Sequence, residues 1–413
     1  DQSGPAAALR RAPPAGAAAG VDESSSRGVE ESRREARSGD PAATPNVMPA
    51  QLPGLELSER LYREAVAPIL GREFPELVYA AARVGTGSDV LGFDTARSMD
   101  HDWGPKLTLF LNEDDCAAHG ARIVETLRHA LPREIAGIPT NFGPTHEAGV
   151  DTIVATESGP VNHRVEVTTL SDFLQERLGI ASVTYLTITD WLTFSEQALL
   201  EMTAGAVFHD GLGMLTAARQ TLAYYPDDLW RYLLAAQWTR IGQLEPFVGR
   251  TGEVGDEVGS ASIAAALVRD AMRLAFLMER RYAPYSKWFG SAFAQLTCAP
   301  TLMKHLAGVL AARGWQDREA HLVAVFQQLA VMHNVLGITA PLPEQATPFH
   351  NRPFLVIHGD LFATAIAAAI EDDAVRRLPF GVGSVDQFVD SVNVLSHPVR
   401  RRALRSVYDG QTG

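Results

Sequence analysis

Large apolar residues are almost missing from positions 1–48, which are dominated by Ala, Pro, Gly, Ser, Arg and Glu, and they recur with clear periods from Leu52 onward. A segment that cannot bury apolar surface cannot offset the entropy of ordering its backbone, so residues 1–48 are expected to form a disordered tail. "LSERLYREAVAPILGREF" has helical spacing with Ser58 as the expected N-cap, and it leads into a strand, "LVYAAARV", that ends at Gly85. Lys106 to Leu111 alternates like a half-buried strand. Ala117, Ala121, Val124, Leu127 and Leu131 then mark a helix that Asp114 or Asp115 can cap. Two more strand patterns, "VDTIVAT" and "NHRVEVTTL", flank the turn-like "ESGPVN".

After Asp190 the texture changes to long helical segments, starting with Thr193 and Glu196 at capping-box spacing before "QALLEMTAGAVF" and continuing to about Arg405. The expected fold class is therefore α+β, with a mixed sheet and helices over residues 49–190 and a mostly helical C-terminal domain over residues 191–413. No repeat of fixed period is present.

Composition narrows the function classes. The longest apolar tract, "SASIAAALVRDAMRLAFLMERRY", is broken by Arg269, Asp270 and Arg273, too soon to span a bilayer. No basic start followed by an apolar stretch and a cleavage site opens the sequence. Cys116 and Cys298 are the two cysteines and have no framework or zinc-knuckle spacing, which fits a reducing, cytoplasmic setting. Thirty-six basic against 49 acidic residues give a net charge of −13, and no basic stripe offers a long nucleic acid its counterions.

Candidate chemistry is concentrated in "VGTGSDVLGFDTARSMDHDWGPKLTLFL", Val84 to Leu111, where Asp89, Asp94, Asp100 and Asp102 crowd beside Gly85, Gly87 and Ser88. Carboxylates this close repel unless a cation or solvent compensates them. Asp89 and Asp94 read as turn formers. Asp100 and Asp102 stand at the entry to a strand, where alternate residues share a face roughly 6 to 7 Å apart along it and can share divalent cations. His101, between them, must face the other way. The Gly-Ser turn lets backbone N–H groups and the Ser88 hydroxyl approach a phosphate. A third acid is expected from a neighbouring strand. Glu166, flanked by Val165 and Val167, is the first candidate and Asp151 the competing one.

Gly87-Ser88, Ser98 and Asp100-His101-Asp102, in that order and with a third acid on a later strand, resemble the signature of the polymerase-beta-like nucleotidyltransferase superfamily. The longer "GTGSDVLGFDTARSMDHDWGP", together with "ERRYAPYSKWFG" downstream, resembles DUF4037, a bacterial domain family of unknown function within that superfamily, from about Leu52 to Leu395. The resemblance implies a nucleoside triphosphate, with ATP as the expected one, bound with Mg²⁺ or Mn²⁺. It also implies attack by an acceptor oxygen or nitrogen on the α-phosphorus, release of pyrophosphate, and a helical domain closing the acceptor side. Carried over, Ser88 in the Gly87-Ser88 turn holds a terminal phosphate and Asp100 and Asp102 bind metal. Glu166 completes the metal site or takes the acceptor's proton, although many members have an aspartate there.

In "ERRYAPYSKWFG", Lys287 could approach the triphosphate and Tyr282 or Tyr285 could stack on a ring, while Arg281 could equally pair with Glu279 or Asp270. The acidic balance suits a small cationic acceptor, and a protein side chain is the next candidate. The rival function is a nucleotide-binding sensor or scaffold without turnover. "VIHGDLFATAI", Val356 to Ile366, has the HGD of small-molecule kinases, but Ala365 stands where a metal-binding Asn is needed and no glycine loop with its lysine precedes it. Gly85, Gly87 and Gly92 do not make a dinucleotide fingerprint.

Overall fold

The computed structural model describes residues 52–95, 103–145 and 151–409. The expected tail, and Asp100, His101 and Asp102 with it, lie outside the described residues. From Leu52 onward the chain forms one unit.

α1 (Gly54–Leu61) passes through a π-helical turn (Tyr62–Val66) into α2 (Ala67–Glu73). Ser58 is inside this helix and not its cap: Pro53 precedes the first turn, and the buried Ser58 hydroxyl donates to Gly54 O one turn back. β1 (Ala80–Arg83), β2 (Lys106–Leu111) and α3 (Glu113–Ala130) follow. Asn112, and not Asp114 or Asp115, caps α3, accepting from Asp115 N at 2.8 Å; the acids occupy the first turn, where the helix dipole favours them. A hairpin pairs β3 (Phe142–Pro144) with β4 (Asp151–Ile153), and β5 (Arg164–Thr169) leads into α4 (Leu170–Leu178), capped by Thr169.

α5 (Ile188–Thr193) and α6 (Glu196–Thr203) come next, followed by β6 (Ala206–Asp210). The capping box expected at Thr193–Glu196 sits one helix earlier, at Thr187–Asp190, and Ser195 caps α6. β6 lies in the segment read as helical. It is a strand because β1 offers it an edge. The main sheet runs β5-β2-β1-β6, with β2 parallel to β5 and β1 antiparallel to both its neighbours. This mixed sheet with many helices makes the protein α+β. Its helical part comprises α7 (Met214–Thr221), α8 (Asp227–Glu253), α9 (Glu257–Met278), α10 (Ser286–Phe293), α11 (Ala299–Ala311), α12 (Trp315–Leu336) and α13 (Gly359–Ala368).

Strand alternation divides the core in two. Ala81, Leu107, Leu109, Leu111 and Val165 pack with α1, α2 and α3, while Ala80, Ala82 and Phe110 face the larger helical core. Glu166 pairs in register with Thr108, so it shares the second face with Ala82 and Phe110. The alternation of Val165, Glu166 and Val167 predicts that orientation.

Candidate functional site

The glycine turn after β1 is built around an ion pair. Arg83 donates from Nε and Nη2 to the two carboxylate oxygens of Asp89 at 2.7 and 2.8 Å, and also reaches the carbonyls of Val84 and Thr86. Both side chains are buried. Gly87 has φ +146, and a Cβ there would stand 2.2 Å from Asp89 Oδ1 and 2.3 Å from Arg83 Nη2, so the turn requires glycine. Asp94 accepts from Gly54 N at 2.7 Å and holds the start of α1. Two of the four crowded aspartates thus have protein partners, one in a buried ion pair and one at the start of α1.

Gly87 and Ser88 open on a cleft of about 900 Å³ whose other walls come from α4, α6, α9, the start of α10 and the segment around Asp386–Arg401. Lys287 lines the same cleft, with Nζ 4.9 Å from the Trp288 ring centroid, and Trp288 stacks on Phe93 of the glycine-turn loop at 5.2 Å. Tyr285 is partly exposed and lines the cleft. Tyr282 is not a stacking platform: it is buried in the helical core and donates its hydroxyl to Leu222 O at 3.1 Å. Arg281 pairs with neither expected acid: Glu279 accepts from Thr297 N and Cys298 N, and Asp270 from Gln237 and Arg240.

Glu166 lines a second cavity of about 370 Å³ on the β2–β5 face, and Thr86 and Arg177 line both cavities. Burial of its carboxyl, aided by Glu176, pushes the Glu166 pKa up, while Arg177 and Arg83 pull it down. Asp151, the competing acid, lines neither cavity and is engaged by Arg164 Nη2. Among the described residues no group of three or more His, Cys, Asp or Glu side chains could hold a metal ion, so the expected set depends on Asp100 and Asp102.

The sequence reading missed several cleft residues. Arg177 closes the last turn of α4, where a cation is ordinary dipole chemistry. Arg273 and Asp386 also line the cleft. Asp386 Oδ2 accepts from Glu196 N at 2.9 Å, Glu196 Oε2 accepts from Ala283 N, and Arg273 lies 3.7 Å from Glu196 Oε1. Burial pushes both carboxyl pKa values up, and the Asp386 charge adds to the effect on Glu196. Nothing local in the sequence links residues 190 positions apart.

The HGD stretch is a different object. His358 has φ 61, and Ile357 N and Gly359 N donate to the buried carboxylate of Glu245 at 2.6 and 2.9 Å. A Cβ on Gly359 would lie 2.6 Å from Trp238 O. Burial pushes the Glu245 carboxyl up to about 7, against the pull of these N–H groups. This turn seats α13 against α8.

The molecule is thus an α+β protein with a charged cleft between its glycine turn and its helices. Residues 191–289 match the family model described as a domain of unknown function (DUF4037), the family the sequence resembles; the match takes in all of "ERRYAPYSKWFG" but the final glycine. A solved structure of a nucleotidyltransferase-like protein from Exiguobacterium sibiricum 255-15 is 10% identical, with 71% of this chain and 82% of that one covered at a TM-score of 0.30. No curated protein matches the chain. Among the described residues no helix is long and apolar enough to cross a membrane.

Proposed function

We propose that the chain is a nucleotidyltransferase that moves a nucleoside monophosphate from a triphosphate, ATP in the first instance, to an acceptor hydroxyl or amine. One observation carries this reading: Ser88 and Lys287, far apart in sequence, line one cleft, which shares Thr86 and Arg177 as lining residues with the cavity of Glu166. Glu166 is in register with Thr108 on β2, the strand that Asp100 and Asp102 precede.

Ser88 and the backbone of the Gly87 turn would hold terminal phosphate oxygens, and Lys287 would offset their charge. An all-carboxylate set of Asp100, Asp102 and Glu166 suits a hard cation, Mg²⁺ or Mn²⁺, which when bound neutralises charge on the phosphoryl oxygens. The acceptor's oxygen or nitrogen forms the new bond to the α-phosphorus. The bond from that phosphorus to the bridging oxygen breaks, its electron pair leaves on pyrophosphate, and the acceptor's proton passes to a carboxylate or to water. Glu166, with its raised pKa, suits the role of that base if it does not serve the metal. A small-molecule acceptor and a cytoplasmic setting go with this reading, and a protein side chain is the other acceptor class.

The second reading, a nucleotide sensor or scaffold without turnover, is favoured by Glu166 itself, a glutamate one methylene longer than the aspartate many relatives of the expected kind carry. The test is thermal stability against each nucleoside triphosphate, with and without Mg²⁺ or Mn²⁺, for wild type and Asp102→Asn, followed by pyrophosphate release with candidate acceptors. The enzyme is stabilised by one triphosphate only with metal, loses that shift in Asp102→Asn, and releases pyrophosphate. A stabilised protein that never releases pyrophosphate is the sensor. Absence of any metal-dependent shift removes both readings.

A further inference from the structure

Arg177 is held firmly at its backbone and loosely at its head. Its carbonyl accepts from Arg401 Nη2 at 2.7 Å, and its guanidinium carbon stands 5.4 Å from the Phe173 ring centroid. The nearest carboxylate oxygens, Glu176 Oε1 and Glu201 Oε2, are 3.3 and 3.5 Å from its terminal nitrogens, long beside the roughly 2.7–2.9 Å of a well-made charge-assisted bond. Arg177 Nε is buried and has no hydrogen-bond partner among the described residues. The side chain retains 19% exposure, and Nη2 comes within 3.7 Å of where a Cβ on Gly85 would stand. The fork therefore lies beside the glycine turn, and Arg177 lines both the Ser88–Lys287 cleft and the Glu166 cavity.

We propose that Arg177 is a nucleotide-binding residue that grips the triphosphate between these two cavities and carries part of the charge that gathers on the departing pyrophosphate. A planar fork with donors not committed to close partners matches two phosphate oxygens at once, which a lysine cannot do. Glu176 and Glu201 flank the fork loosely in the free protein, and the fork leaves them when phosphate enters. The inference rests on the nucleotidyltransferase reading, and it names a residue that neither the glycine-serine turn nor the paired aspartates would identify.

The test uses the full chain and inorganic tripolyphosphate as the probe, titrated calorimetrically in EDTA, and then ATP with Mg²⁺. Arg177→Gln is expected to weaken tripolyphosphate at least tenfold and ATP similarly, Arg177→Lys to recover only part of the loss, and Glu201→Gln to tighten the probe by releasing the fork. With turnover available, kcat/KM of Arg177→Gln falls on the order of 100-fold or more. Tripolyphosphate affinity in Arg177→Gln within twofold of wild type overturns the proposal and leaves Arg177 as a structural partner of Glu201. If Arg177→Gln does not fold, full affinity in Arg177→Lys together with weakened affinity in Glu201→Gln overturns it equally. Failure of the nucleotidyltransferase reading looks different: ATP with metal fails to bind wild type, while loss of tripolyphosphate in Arg177→Gln still supports a phosphate grip at this position.

Discussion

Two glycine turns in this chain carry an acid and resemble nucleotide motifs, and they have opposite fates. In the turn at Gly85–Asp89 the acid pairs with Arg83, which fixes the loop, and Gly87, Ser88 and Asp89 all line a large cleft. At the turn His358–Asp360 the backbone donors of Ile357 and Gly359 are already taken by the carboxylate of Glu245 from α8. A motif thus marks a backbone shape that can receive an anion. Whether the anion comes from outside depends on which side chain the rest of the fold supplies.

The comparison can be broken most severely at Asp89. Replacing it with Ala leaves the Arg83 guanidinium buried without its carboxylate, and a loss of about 3–5 kcal/mol is expected in urea unfolding. A loss below about 1 kcal/mol would mean that the turn is held by something other than this pair. A pH titration probes the filled turn. The folded Glu245 carboxyl, raised by burial to about 7, holds its proton more tightly than a glutamate at its ordinary 4.5, so its contribution to stability is greatest below pH 4.5 and is lost as pH rises toward 7. The loss is on the order of 3 kcal/mol at most. Glu245→Gln should flatten that part of the stability profile relative to wild type; equal slopes would show that the carboxyl titrates normally. The smallest effect is expected at exposed Asp360, the acid a kinase would use. Asp360→Asn should change stability by less than about 0.5 kcal/mol and leave pyrophosphate release at the wild-type rate.

Much of the sheet was legible. The alternation around Glu166 gives its strand and the face of the acid, because a period of two is a local property of the chain, whereas Lys106–Leu111, read as half-buried, is a central strand buried on both faces from Leu107 to Leu111. The caps were misread by a few residues at Ser58, Asp114 or Asp115, and Thr193, where several polar residues compete for one cap and only the backbone path decides. β6 escaped because "AVFHD" carries little alternation of its own and gains its ladder from β1. In the cleft, residue types with a motif were visible and those without one were not. Ser88 and Lys287 could be singled out, whereas Arg177, Arg273 and Asp386 join the cleft only in company that the fold assembles from stretches far apart in the chain. Asp100 and Asp102 lie outside the described residues, so the reading of them rests on the sequence and on the strand they precede.

The place of β6 also bears on how the molecule comes into being. β1 has one neighbour close behind it in the chain and the other more than a hundred residues later. During synthesis, then, β1 waits with one row of its backbone donors and acceptors exposed until Ala206–Asp210 leaves the ribosome. A chain halted before that point carries a sticky edge of alanines, open to the strands of other nascent chains.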